Sequence, residues 1–365
     1  MNRGVKTAIA ALAVLALTVP AAAMPAGPDS TWGDVSSANV APGDQQLLNL
    51  AHVWNFKPGV DGPSSPVDPN TRGTDIEFFT NAVPKRDYTT GALLDAAGGS
   101  LPEGELPIME TRDFAIMGSY KGGAWVFDIT NPESPQFVTN IPCNQEQNDV
   151  QIKQFGNRWI LALTRDCLGN LCVTPRKGTT GVGGIAVFDI TDPYAWTKMY
   201  SFGVASGAHN FTFHPTKPYG WISPGDINAF STTSYRAVIP ILDFNDVDNP
   251  VLASTIDLVQ GSPHDITFSA DGRRAFVANE HHYRIYDTTD PKAPVLISVT
   301  PNNGTYAHGY DPTPDRKIAI GTNESLALGG FVAPTVCPGE GLTFYSIEGD
   351  REKTPVPVGE FLASV

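Results

Sequence analysis

The chain has 365 residues, with 38 acidic against 24 basic side chains and a formal charge of −14. That excess of acid argues against nucleic acid or an anionic membrane surface as a partner. With 35 Gly, 31 Pro and only 17% charged residues, the composition suits many short strands joined by turns and excludes a helix-dominated chain.

In chain order, residues 1–23 read as a signal peptide. Arg3 and Lys6 form a positive start, Ala8 to Val19 an apolar run, and Ala21-Ala22-Ala23 a small-residue cleavage site. The run is shorter than the ~20 residues a membrane span needs, and no other segment is apolar enough to span. The mature protein is expected to be secreted, periplasmic or held at the cell surface; without Arg3 and Lys6 the charge of −14 becomes −16. Residues 24–45, rich in Pro, Gly and Ser, read as a flexible leader. Residues 46–365 form the folded part, opening with a predicted strand at Leu47–Phe56.

A stretch then recurs: Trp125-Val126-Phe127-Asp128-Ile129-Thr130-Asn131-Pro132, Ala186-Val187-Phe188-Asp189-Ile190-Thr191-Asp192-Pro193, Pro240-Ile241-Leu242-Asp243-Phe244-Asn245, Arg284-Ile285-Tyr286-Asp287-Thr288-Thr289-Asp290-Pro291, and an eroded copy at Leu342–Asp350. Each is an apolar strand, an Asp, and in the better copies an Asx-Pro turn. The Asp and Asn side chains are expected to bond the backbone two residues on, and the proline presets the return. Upstream of each copy comes a polar pair and an alternating strand: Thr74-Asp75, Asn148-Asp149, His209-Asn210, His264-Asp265, and His308-Gly309. A second strand follows it, and a fourth follows the turn. Ser269-Ala270-Asp271-Gly272 marks a tight turn between two strands. Four antiparallel strands per unit, with the repeated Asp at 128, 189, 243 and 287, predict an all-β fold, a β-propeller of four-stranded blades with five repeats visible. Insertions are expected at 80–110, between a first and second strand, and at 165–182, 224–235 and 321–340, between second and third strands.

This pattern resembles the LVIVD-repeat family of exported β-propellers. Ala124–Val138, Ile185–Met199, Ile239–Ile256 and Tyr283–Val299 match its repeat, and Leu342–Leu362 matches poorly, since Ser346 stands where Asp is expected. The resemblance implies an exported repeat protein and supplies no catalytic residues. The ends suggest a chain shorter than its full ring. Leu47–Phe56 looks like an outer strand without the three it should join, and Val358–Val365 completes the fifth unit. A six- or seven-bladed ring is therefore expected, with a closed five-bladed ring as the alternative.

His209, His264 and His308 open the first strands of three successive units, so all three are expected near one mouth of the channel. Glu280, Glu324 and Asp226 fall in or beside loops on the same face. Together they suggest a divalent transition-metal site. Asp75, Asn148, Asp149, Asn210, Asp226 and Asp265 are the other ligand-face candidates. The competing reading is that the polar pairs bond backbone groups between adjacent blades. His281-His282 reads as a solvated loop tip, and His52 and His214 as structural. Among Cys143, Cys167, Cys172 and Cys337, the bridge Cys167–Cys172 closes a small loop, with Cys143–Cys167 as a rival. No nucleophile elbow, phosphate loop or His-Glu-x-x-His is present. The leading functional expectation is a binding module whose loop-rich face engages a protein, glycan or small molecule. A metal-dependent hydrolase or oxidoreductase centred on the histidines is the alternative.

Overall fold

A computed structural model describes residues 46–47, 50–51, 73–87, 90–120, 122–143, 147–166, 183–204, 207–224, 237–258, 261–302, 306–323 and 341–362. Strands β1 (Gln46–Leu47) and β2 (Leu50–Ala51) pair antiparallel. The single strand expected at Leu47–Phe56 is thus corrected at its start, because pairing Gln46 with Ala51 requires the chain to reverse there. Residues 52–56 lie outside the described residues, as do the signal segment and leader. No helix long and apolar enough to cross a membrane is present among the described residues.

The rest is five four-stranded antiparallel sheets, each with its strands in chain order. The chain divides into two compact units, one holding residues 1–144 and 190–196, the other residues 145–189 and 197–365. The first unit contains β3 (Gly73–Pro84), β4 (Met109–Ser119), β5 (Gly123–Asp128) and β6 (Gln136–Ile141). The expected insertion at 80–110 begins later and ends sooner, since β3 runs to Pro84 and pairs with Met109. The reason is visible in burial: Phe79 and Val83 both point inward and carry the strand past residue 80. In the same unit the 3-10 turn Pro193–Ala195 is capped by Asp192, and Tyr194 meets Phe114 edge-on at 6.4 Å.

The second unit contains four sheets: β7 (Val150–Phe155), β8 (Arg158–Arg165), β9 (Gly184–Asp189), β10 (Thr197–Gly203); β11 (Asn210–Phe213), β12 (Tyr219–Ser223), β13 (Val238–Asp243), β14 (Val251–Asp257); β15 (Asp265–Phe268), β16 (Arg274–Asn279), β17 (His282–Asp287), β18 (Val295–Pro301); β19 (Ala307–Pro312), β20 (Ile318–Asn323), β21 (Gly341–Ser346), β22 (Val356–Leu362). Side chains of a strand alternate between two faces, and here both faces of the middle strands are used. On β12, Tyr219 and Trp221 pack with Ile266, Phe268 and Val277 of the following sheet. Ile222 of the same strand packs with Ile160, Ala162 and Val187 of the preceding sheet. On β16, Ala275 and Val277 face backward, while Phe276 and Ala278 face forward onto Tyr310 and Ala319. The sheets therefore stack face to face in sequence. Third strands such as β5 and β9 are buried almost throughout, and fourth strands such as β14 and β18 carry the exposed apolar side chains.

The repeated Asp residues do the turn work assigned to them. Asp128 accepts from Thr130 N at 2.9 Å, Asp243 from Asn245 N at 2.8 Å and Asp287 from Thr289 N at 2.8 Å. A second device joins the sheets at the same end. Arg158 of β8 bonds its own sheet's Asp189 at 2.7 Å and Asp248 of the next sheet at 2.9 Å. Arg274 of β16 likewise holds Asp287 at 3.0 Å and, through two nitrogens, Glu352 of the next sheet at 2.7 and 2.9 Å. Paired, partly buried charges of this kind are the stronger class of hydrogen bond.

Gly220 of β12 lies under the Phe211 ring, and a Cβ there would come within 2.2 Å of it. Gly220→Ala should therefore cost about 1–3 kcal/mol of stability, read as a lower urea midpoint with an unchanged slope; an unchanged midpoint would show that the Phe211 ring moves freely aside.

Candidate functional site

The first strands β7, β11, β15 and β19 are neighbours, and the polar pairs that open them divide their work. The second members Asp149, Asn210 and Asp265 stitch adjacent sheets together. Asp149 accepts from Phe211 N at 3.1 Å, and Asn210 donates to His264 O at 3.0 Å and stands 3.4 Å from Asp265 Oδ1. Thr164, which takes the N–H of Asp149 at 2.6 Å, donates onward to His209 O at 3.2 Å. The main chain at His209 and at His264 is thus held from the sheet before it. It is also held from within its own sheet, since His209 N donates to Ser223 O and His264 N to Ala278 O, both at 2.8 Å.

With the backbone fixed on two sides, the first members of the pairs meet. The Nε2 atoms of His209 and His264 lie 2.8 Å apart, and the rings of His264 and His308 have their centroids 4.1 Å apart. Tyr306 closes one side, its ring edge-on to His264 at 5.5 Å. His308 reaches the cluster differently from the other two. It lies inside β19 at a bulge: Ala307 pairs with Asn323 and Gly309 with Thr322, which leaves His308 as the extra residue. A bulge re-aims the side chain it carries. His308 is exposed, whereas His209 keeps 16% of its side-chain surface.

Asp166 completes the arrangement. It is 1% exposed, and its Oδ2 lies 2.7 Å from His209 Nδ1. A carboxylate there makes Nδ1 a proton-bearing nitrogen and leaves Nε2 turned to His264. One of the two Nε2 atoms donates to the other across the 2.8 Å gap. Burial first, then the neighbouring His209 and His308, push the His264 imidazole well below its usual pKa, so the ring stays neutral, the form that ligates metals. In this arrangement no group of three or more His, Cys, Asp or Glu side chains, among the described residues, stands around a single metal-sized position.

The convergence of His209, His264 and His308 on one place follows from their shared position at the first strands. Glu280 is the first of two loop residues between β16 and β17. It is buried, has φ of +47°, and its carbonyl accepts from Ala307 N at 2.6 Å, which ties it to the residue before His308. Asp149, Asn210 and Asp265 take the sheet-joining role, and Asn148 donates to Thr164 O at 2.7 Å. Asp75 lies in β3 of the other unit. Asp226, Glu324, Cys167, Cys172, Cys337 and His52 lie outside the described residues, so the expected Cys167–Cys172 bridge does too. His214 is structural, as expected: its Nε2 donates to Gly272 O at 2.8 Å, and its Nδ1 accepts from Thr216 N and Lys217 N. Asp166 is the residue that reading the sequence missed. Like Glu280, it is the first residue past a second strand, and applying that rule to every unit would have found it.

No protein-family model and no curated protein matches the chain. Solved structures do. A functionally unknown protein from Desulfotomaculum acetoxidans aligns at 13% identity and a TM-score of 0.49, covering 68% of this chain and 67% of that one. A protein from Bacteroides fragilis described as a candidate 6-phosphogluconolactonase aligns at 14% identity and 0.47, covering 78% of each chain. A protein from Lactobacillus plantarum aligns at 12% identity and 0.46, covering 68% and 67%. Likenesses of this size assign no activity.

Protonation of His264 is opposed in the folded chain but not in the unfolded one. In the presence of chelator, stability should therefore fall as pH drops below the ordinary histidine value of about 6.5, by up to ~1.4 kcal/mol per pH unit for one proton. Urea titrations at stepped pH should show this slope, and His264→Gln should flatten it; an equal slope in the variant would place the effect elsewhere.

Proposed function

We propose that the five sheets are blades of an exported β-propeller, and that the protein is a binding module whose recognition centre is a divalent transition-metal site. His209 and His264 supply the first two ligands and His308 the third. The observation that carries this reading is the chain Asp166–His209–His264. A buried carboxylate on the far nitrogen of a histidine is the outer-shell support that metal-ligating imidazoles use, fixing the tautomer and raising basicity. Two ligand atoms on one tetrahedral ion, each ~2.0–2.1 Å from it, stand about 3.3 Å apart. The Nε2 pair at 2.8 Å reaches that spacing by a small ring movement and a shift of the proton between the two atoms to His264 Nδ1, which keeps the ring neutral. His308, exposed on its bulge, joins by turning about its side-chain bonds. Imidazole ligands favour zinc, copper, nickel or iron over calcium or magnesium.

The signal segment supports an extracytoplasmic setting, and the LVIVD-type repeat supports the propeller reading. A ligand for such a centre presents a metal-binding group of its own, whether it is a protein, a glycan or a small molecule. The exposure of His308 favours one further reading. A coordination position open to solvent is what metal-assisted hydrolysis needs, so a hydrolase using this centre is the second proposal.

Protein stripped with chelator and titrated with Zn²⁺, Ni²⁺ or Co²⁺ should bind one ion per chain by calorimetry. His209→Ala and His264→Ala should each weaken binding at least tenfold, and Asp166→Asn about 10–100-fold; His281→Ala, an exposed position, should leave it unchanged. No binding, or unaltered binding in His264→Ala, would make the imidazole chain a purely structural feature.

A further inference from the structure

Asp128 is the one repeated turn aspartate whose second oxygen is both buried and without a hydrogen-bonding partner among the described residues. The repeat supplies its own controls. Asp189 is 20% exposed and its Oδ2 accepts from Arg158 at 2.7 Å; Asp287 is 37% exposed and its Oδ2 accepts from Arg274 at 3.0 Å. Asp128 is 3% exposed, and its nearest cation, Arg112 Nη1, stands 3.7 Å away. The most deeply placed carboxylate is therefore the least well paired, which is costly for a buried charge.

The cause lies in the long β3–β4 connection. Arg112 sits on β4 as Arg158 sits on β8, two residues before the partner of the turn Asp. Arg158 reaches both its own Asp189 and the turn acid Asp248. For Arg112, the comparable turn acid in the same unit is Asp192, and Arg86 from the connection has already taken it at 2.6 Å. Arg112 turns instead to Glu110, which accepts from its Nε at 2.9 Å and Nη2 at 2.6 Å. Asp128 is one of five residues lining a cleft of about 250 Å³, with Arg112, Asn131, Ser134 and Gln136. That is below the ~300 Å³ at which pockets for drug-sized ligands begin, so it suits a headgroup and a short stem. Glu110 and Asp128 outweigh the single charge of Arg112, so the local balance favours a cation.

We propose that this cleft binds an ammonium or guanidinium group drawn by the Asp128 carboxylate, whose buried Oδ2 becomes its acceptor after a small turn of the side chain. Such a group comes either from a lysine or arginine side chain of a partner polypeptide or from a free amine. The site is independent of the histidine centre and survives the failure of that reading.

Calorimetric or ligand-observed NMR titrations would use N-acetyl-arginine amide and N-acetyl-lysine amide for the peptide source, putrescine for the free amine, and acetate as the anion control. Saturable, salt-sensitive binding of at least one cation is expected, weakened at least tenfold in Asp128→Asn, which keeps the turn-forming oxygen. Preference for the capped amino acids supports a peptide partner, and preference for putrescine supports a free amine. Absence of cation binding up to ~10 mM, a range far above any useful affinity, would overturn the proposal. So would tighter binding of acetate, or undiminished binding in Asp128→Asn. Melting temperatures give a second test: Asp128→Asn should leave the free protein as stable or more so, while Asp287→Asn lowers it. Equal losses in the two variants would mean that Asp128 is already fully paired, and would also overturn the proposal.

Discussion

The hydrogen bonds that pass sideways from one first strand to the next are the constraint on which the second unit depends. Each sheet is held along its own strands by an ordinary antiparallel ladder, and it is held to its neighbour by packing of alternating side chains. Packing alone is non-directional and tolerates sliding. The bonds from Asp149 to Phe211 N, from Thr212 to Ile266 O and from Thr267 to Asp311 do not. They set the height of each sheet against the next, and so decide which side chains meet at the strand starts. Were one sheet to slide by a residue, a shift of about 3.3 Å along its strands, His209 would no longer reach His264.

The arginine links at the opposite ends of the same strands act with these bonds. Arg158 and Arg274 each hold a turn acid of the following sheet, so a sheet is fixed at both ends of its length. This leaves little freedom for the imidazoles. The backbone of His209 and of His264 is anchored twice, by the second strand of its own sheet and by a polar side chain of the sheet before. Burial first, and then the neighbouring imidazoles, oppose a charge on His264. Like-charged imidazolium groups at this spacing would repel, so the cluster is stable only while at least its central ring stays uncharged.

Much of this was legible in the residues. The Phe-Asp-Ile-Thr-Asn-Pro stretch located the third strands, and its Asp and Pro explained the turns without further help. Register placed the three histidines together, because each opens a first strand. What stayed hidden was hidden for physical reasons. The bulge at His308 depends on how Ala307 and Gly309 pair with Asn323 and Thr322, and no local pattern announces it. The extension of β3 to Pro84 rests on Phe79 and Val83 finding buried positions, a tertiary effect. Asp166 escaped notice because it falls within the expected insertion at 165–182, although its offset from the strand matches that of Glu280. The turn aspartates were read as equivalent, and the structure separates Asp128 from the others only through the partners of Arg86 and Arg112, which lie far apart in the chain.

X-ray absorption at the zinc edge of metal-loaded protein tests the central claim most directly. The account predicts nitrogen scatterers at ~2.0–2.1 Å with the outer-shell signature of two or three imidazoles, reduced by one ring in His264→Ala. A first shell of oxygen atoms alone, with no imidazole scattering beyond it, would contradict it.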